Sequence, residues 1–221
     1  MARGSHYEEP YDDRRDAGAE LAAHVGHLHG RDNLVVLALP RGGVPVAYEI
    51  ARALNAPLDV VLVRKLGLPG HRELAMGAIA SGGVRVLNED VVSLYSVPAT
   101  VIDDIARGEQ AELASRERMY RAGRAPVELR DRIVLLIDDG LATGSTMKAA
   151  VQAVRSRRPS RIIVAVPVGS PDSCRELADI ADEVICPRIP ERFSAVGQWY
   201  RDFAETTDEE VRDLLSGAHP G

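Results

Sequence analysis

The chain has 221 residues, 45% hydrophobic and 27% charged, a globular composition that excludes disordered, collagen-like and coiled-coil readings. Aromatics at 4% argue against a stacking platform for single-stranded nucleic acid, and a net charge of -6 argues against a general polyanion binder. Cys174 and Cys186 make no disulfide framework, no apolar run reaches the roughly 18 residues of a membrane span, and the polar, acidic start has no leader-like apolar core.

A cytoplasmic protein with no nucleic-acid or membrane partner is expected. Gly4-Ser5-His6 is of the kind that cloning leaves behind. In chain order, residues 12–28 form the first expected helix, with Ala17, Leu21 and Val25 at four-residue spacing. Residues 34–39 are a continuous apolar run, the mark of a strand buried on both faces. Pro40-Arg41-Gly42-Gly43 breaks that run. A helix over 44–54 and a second buried strand over 58–63 complete a βαβ unit. Residues 64–73 read as a polar loop containing glycine and proline, followed by a hairpin of strands 74–80 and 84–87 around Ser81-Gly82-Gly83. Residues 98–121 read as a helix with a thin apolar face, an excursion from the core serving as a lid or a partner-facing arm.

Strands over 133–137, 161–166 and 183–185 alternate with helices over 146–156 and 171–180. An irregular stretch over 187–203 follows, then a short last helix near Asp208. The fold class is therefore α/β: a mainly parallel central sheet flanked by helices, with a small C-terminal hood and a helical excursion. One domain is expected over 10–205, with the excursion at 98–121 and the hood at 187–205, and a tail over 206–221. In such sheets ligands sit beyond the carboxyl ends of the strands.

The most informative stretch runs Val134-Leu135-Leu136-Ile137-Asp138-Asp139-Gly140-Leu141-Ala142-Thr143-Gly144-Ser145-Thr146. Two carboxylates end a buried strand, and a run of small residues and hydroxyls then opens a helix. Small residues let backbone N–H groups approach a phosphate, and the helix N-terminus adds partial positive charge. Asp138 and Asp139 repel a phosphate but suit neutral hydroxyls, a cation or a developing positive charge. A ligand with phosphate at one end and sugar hydroxyls at the other fits both halves. The stretch is neither a Walker A loop nor a dinucleotide fingerprint.

This stretch resembles the 5-phosphoribosyl-1-pyrophosphate (PRPP) motif of the type I phosphoribosyltransferases, and the whole chain looks most like bacterial members of unassigned acceptor. The resemblance implies that Ala142, Thr143, Gly144, Ser145 and Thr146 hold the 5-phosphate while Asp138 and Asp139 face the ribose hydroxyls. It makes Arg41, Gly42 and Gly43 a pyrophosphate loop, with the Pro40–Arg41 bond a candidate for a cis peptide. Arg64 and Lys65 are implied as further pyrophosphate cations before a mobile flap. Phe193, with Trp199 nearby, is implied as the base-stacking aromatic of the hood. Gly140 departs from the usual branched residue and is expected to loosen the loop.

The function implied is Mg²⁺-dependent transfer of phosphoribosyl from PRPP to a nitrogen acceptor, a nucleobase, with release of pyrophosphate. Asp138, Asp139, Arg41 and Lys65 would carry the chemistry, and Asp138, Asp139 and Asp202 would be the nearest carboxylates to the metal. The acceptor is open: Ala142 stands where the hypoxanthine–guanine branch has a general acid–base, and no lysine stands near Pro167. A non-catalytic PRPP sensor is the alternative, and a homodimer is compatible with the family.

Overall fold

The structure, a computed structural model, describes residues 9–218; Gly4-Ser5-His6, with the rest of 1–8, and residues 219–221 lie outside the described residues. Strand β1 (Leu34–Ala38) is buried along its length, and its alternation explains how. Val36 and Ala38 point into one hydrophobic core, Val35 and Leu37 into another. Strand β6 (Ile133–Ile137) divides in the same way, Leu135 and Ile137 against Val134 and Leu136. So does β7 (Arg161–Ala165), with Ile163 and Ala165 against Ile162 and Val164. With β2 (Leu58–Val60) and β8 (Glu183–Ile185) they form a five-stranded parallel sheet in the order β2-β1-β6-β7-β8.

Helices cover both faces, as an all-parallel sheet requires. Helices α1 (Arg14–His24) and α2 (Gly43–Leu54) close the first core through Leu21, Ile50 and Leu54. Helices α5 (Ser145–Ser156) and α6 (Pro171–Ala178) close the second through Met147, Val151 and Leu177. The last helix, α7 (Asp208–Gly217), adds Val211, Leu214 and Leu215 to the first core. Among the described residues, no helix is long and apolar enough to cross a membrane.

Three expectations change. Residues 58–63 are not one strand. Val61 N–H still donates to Ala38 O of the main sheet at 3.0 Å, but Leu62 N–H turns to Ser81 Oγ at 2.8 Å, so the chain changes sheets there. The expected polar loop over 64–73 is instead part of an antiparallel hairpin, β3 (Val63–Leu68) and β4 (His71–Ala80), joined to β5 (Val84–Leu87) in a three-stranded sheet. Leu66 and Leu68 are buried on one face of β3, an alternation that the glycines and proline around them obscure. The third change is the excursion. Helix α4 (Ala99–Arg121) buries Ile102, Ala106, Leu113 and Tyr120 in the first core, so it is part of the fold rather than a free arm. A short helix, α3 (Glu89–Leu94), capped by the Asn88 side chain, precedes it and was not expected.

Candidate active site

Strands β1 and β6 are neighbours, and beyond their carboxyl ends the chain leaves in opposite directions, to β2 on one side and to β7 and β8 on the other. That divergence opens a crevice, the usual ligand position in an open α/β sheet. The 40–43 loop leaves β1 and the 138–146 loop leaves β6, so the sheet order brings the two predicted anion loops together. The Pro40–Arg41 peptide is cis, as expected.

The contact between these loops is unusually close. A Cβ added at Gly42 would lie 2.0 Å from Asp139 Oδ2, and one at Gly43 would lie 2.8 Å from Ile137 O and 2.9 Å from Asp138 Cα. No other residue type gives these positions that little bulk. Gly43 N–H is spent on Leu39 O at 3.1 Å, so Gly43 serves close approach, and any amide donation from this loop falls to Arg41 and Gly42.

Asp138 Oδ1 accepts the Asp139 N–H at 2.9 Å, which folds the first carboxylate back toward its own backbone. Burial pushes the Asp138 carboxyl well above the usual carboxylate range, and the neighbouring Asp139 charge pushes it further. Burial also raises Asp139, against a hydrogen bond and charge from Arg14 that pull it down.

The predicted phosphate loop forms an open concavity. Asp138, Gly140 to Met147 and Val196 of the hood line a cavity of about 170 Å³. Gly144 takes a left-handed conformation (φ 66°) and begins α5 without any side-chain cap. Helices α1, α3, α6 and α7 are capped by Asp13, Asn88, Ser170 and Thr207, whereas α5, like α2 and α4, has no side-chain cap, and Ser145 N–H has only a long contact to Thr143 Oγ1 at 3.5 Å. The loop itself is pinned from behind: Ser170 Oγ and Ser173 Oγ donate to Ala142 O at 2.9 and 2.7 Å. Gly140 does not loosen it, because Val196 fills the space, 2.6 Å from where a Cβ would stand.

The remaining predicted residues separate. Arg41 lies at the crevice but its guanidinium pairs with Glu205 and lies 3.8 Å from Asp208. Arg64 and Lys65 are consecutive on β3 and so point to opposite faces. Arg64 bonds to Glu109 of α4, while Lys65 is exposed, so the two do not act as one cationic grip. Phe193 is half-buried and has no ring partner among the described residues. Trp199 is half-buried and packs against the Tyr11, Ala17 and Tyr200 cluster. Asp202 does not join the acid pair: its N–H donates to Asp12 O and its carboxylate caps Ala204 N–H. Among the described residues, no three His, Cys, Asp or Glu side chains are grouped to hold a metal ion.

Two site residues escaped sequence reasoning. Arg14 Nε donates to Asp139 Oδ2 at 2.8 Å, and Tyr200 Oη donates to Asp139 O at 2.6 Å. Burial, then the Asp139 charge, raises the Tyr200 hydroxyl pKa, which keeps it a donor. Arg14 carried one local signal: a basic residue in the first turn of a helix opposes the helix dipole, a broken rule that marks a functional position. Tyr200 carried none.

Comparison with known proteins agrees with this geometry. The chain is 49% identical over 209 residues to the Mycobacterium tuberculosis protein Rv0571c, whose name places it provisionally among phosphoribosyl transferases; the match covers 95% of this chain and 47% of that protein. The chain thus spans about half the length of this curated relative and of its counterpart in a second Mycobacterium tuberculosis strain. The bifunctional protein PyrR of Deinococcus radiodurans is 32% identical over 67% of this chain and 81% of its own length. The crystal structure of TT1426 from Thermus thermophilus superposes with a TM-score of 0.84 at 43% identity, covering 96% of this chain and all of that one. The general pattern of the phosphoribosyl transferase domain matches residues 70–202, a span that holds the acid pair and the phosphate loop. With that pattern covering more than half of the chain, including β6 and the phosphate loop on one side of the crevice, the chain belongs to the phosphoribosyl transferase domain family.

Proposed function

We propose that this chain transfers the 5-phosphoribosyl group of PRPP to a nitrogen acceptor, a nucleobase, releasing pyrophosphate. The observation that carries the reading is the open, uncapped start of α5 beside two half-buried carboxylates. The amides and hydroxyls of Thr143, Ser145 and Thr146 would take the 5-phosphate, with Ala142 and Gly144 supplying the small backbone positions around it. Asp138 and Asp139 would accept the ribose hydroxyls and favour cationic character in the sugar as the bond to pyrophosphate breaks. Arg41, with the amides of its loop, would meet the pyrophosphate, and Lys65 stands exposed for the same anion.

Asp138 and Asp139 would stand nearest a Mg²⁺ ion, and such an ion would supply positive charge to offset that of the leaving pyrophosphate. Among the described residues no three possible ligands are grouped, and Arg14 already engages one member of the acid pair, so the substrate would provide most of the ion's ligands. No covalent protein nucleophile is needed. Holding the two reactants in line is the larger part of the task.

The test is direct. The protein is incubated with PRPP, Mg²⁺ and a panel of purines, pyrimidines and related amines, and pyrophosphate release is measured. Release with one acceptor class identifies the transferase. Tight PRPP binding with no release from any acceptor supports the sensing alternative instead.

Two further outcomes are expected. Phe193→Ala weakens the acceptor about tenfold, the value of roughly 1–1.5 kcal/mol for an aromatic stack, and leaves PRPP affinity unchanged. Acceptor titrations at saturating PRPP check it; a change confined to PRPP removes the stacking role. Glu205→Gln frees Arg41 from its carboxylate partner and should tighten inorganic pyrophosphate about threefold. The effect is small because Glu205 is 76% exposed and such pairs are worth about 0–1 kcal/mol. Calorimetry with pyrophosphate reads it, and an unchanged affinity means that the pair does not compete.

A further inference from the structure

We infer that Arg14 is a positioning residue that fixes which oxygen of Asp139 meets the ribose, an inference that rests on the PRPP reading above. Three anchors hold its guanidinium. Nε donates to Asp139 Oδ2 at 2.8 Å, Nη1 donates to Ala204 O at 2.6 Å, and the guanidinium carbon stands 4.0 Å from the centre of the Phe203 ring. The side chain is 12% exposed, so solvent does little to loosen this arrangement. A planar fork held at two edges and one face has little rotational freedom left.

The consequence falls on Asp139. Its Oδ2 is committed to Arg14, and its backbone carbonyl is held by Tyr200. Oδ2 keeps one acceptor site beside Arg14, while Oδ1 accepts no hydrogen bond among the described residues and is the freer oxygen for a hydroxyl from outside. Arg14 therefore makes the two oxygens of this carboxylate unequal and aims it. The same guanidinium lies against the pyrophosphate loop: a Cβ at Gly42 would be 3.1 Å from Arg14 Nε as well as 2.0 Å from Asp139 Oδ2. Helix α1, the acid pair, the loop after β1 and the Phe203–Ala204 segment thus meet at one side chain. That explains why an arginine occupies the first turn of α1, where the helix dipole disfavours it.

The experiment uses the full chain with three probes: PRPP, ribose 5-phosphate and inorganic pyrophosphate, each by calorimetry with Mg²⁺ present. Arg14→Met is expected to weaken PRPP and ribose 5-phosphate about 20-fold, in the range of a hydrogen bond to a charged group. Pyrophosphate affinity should fall less, by no more than about fivefold, because that anion loses a neighbouring charge but not the hydroxyl-binding oxygen. Arg14→Lys keeps the charge and one donor and should recover part of the loss. In a cycle with Asp139→Asn, the double variant should bind no more weakly than Asp139→Asn alone, because both changes remove one interaction.

A PRPP loss below fivefold, an equal loss of pyrophosphate, or losses that multiply in the double variant would overturn the inference. If Arg14→Met does not fold, the Lys variant carries the same comparison across the three probes. Wild-type protein that fails to bind PRPP strikes the parent reading and takes this inference with it. Wild-type binding with unaltered Arg14 variants strikes the inference alone.

Discussion

Gly42→Ala is expected to weaken PRPP by more than about 100-fold while the protein stays folded, and Gly43→Ala to lose both binding and stability. The difference follows from what each new methyl would meet. At position 42 the nearest atom is Asp139 Oδ2, at 2.0 Å, the end of a side chain. The carboxylate can swing away, but it leaves Arg14 and the ribose position when it does. A misplacement of about 1 Å at a reacting centre is enough for a hundredfold loss. At position 43 the obstacles are Ile137 O and the Asp138 Cα, backbone at the end of a strand buried in both cores. Nothing there can rotate aside, so overpacking of about 1–3 kcal/mol is expected. For a chain of this size that is a melting temperature lowered by roughly 3–10 °C. Thermal unfolding and PRPP calorimetry on both variants check the contrast. Gly42→Ala binding PRPP within a few-fold of wild type would mean that the site does not depend on where Asp139 stands.

Asp139→Asn should lower turnover by about 100- to 1,000-fold, roughly 2.7–4 kcal/mol of lost stabilisation for a developing cation. Asp138→Asn should lower it too, and should also make the protein more stable at neutral pH. The reason is burial. Desolvation raises the Asp138 carboxyl well above its ordinary value, and the adjacent Asp139 adds repulsion. A carboxylate whose pKa is raised on folding is tolerated, not favoured, in its charged form. Below about pH 3.9 both folded and unfolded chains hold the proton, and Asp138 contributes no difference. As the pH rises past that value the unfolded chain ionises first, and the wild-type fold loses stability until the buried group also ionises. Asn carries no such penalty. The gain at pH 7 should be on the order of 1 kcal/mol, in line with other functional residues held at a cost to stability. Melting curves of Asp138→Asn and wild type between pH 4 and 8 should therefore diverge as the pH increases. Curves that stay parallel would show that this carboxyl is not the strained one. Asp139→Asn is the weaker choice for that comparison, because it also strips Arg14 of its partner.

How much of this was legible depends on the range of the interaction. Strands β1, β6 and β7 announced themselves because each is a short apolar run covered on both faces. The loop from Asp138 to Thr146 did so because its chemistry is contiguous. The crossing at Val61–Leu62 was hidden, since Val61 and Leu62 are as buried after the chain leaves the main sheet as Val60 is within it. The hairpin of β3 and β4 was hidden by its own turn, where Pro69 and Gly70 made a polar loop the natural expectation. Helix α4 hides its inner face behind a charged outer one, so a thin stripe passed for a lack of packing. Arg14 and Tyr200 reach Asp139 across 125 and 61 positions, and such pairings have no local periodicity to betray them. Trp199 packs on the Tyr11 and Tyr200 pair, a neighbour that its place near the hood did not announce.

Strand β2 lies at one margin of the main sheet, and its outward backbone is not left bare. Arg121 Nη2 donates to Val60 O at 2.9 Å, Asp59 Oδ2 accepts Val127 N–H at 3.0 Å, and the two side chains bond each other at 2.9 Å. A paired arginine and aspartate thus stand where the next strand would hydrogen-bond. At the opposite margin β8 is only three residues long. Neither border offers a second molecule a long unpaired ladder, which is how a sheet of this kind stays clear of fibrous self-assembly in a crowded cell.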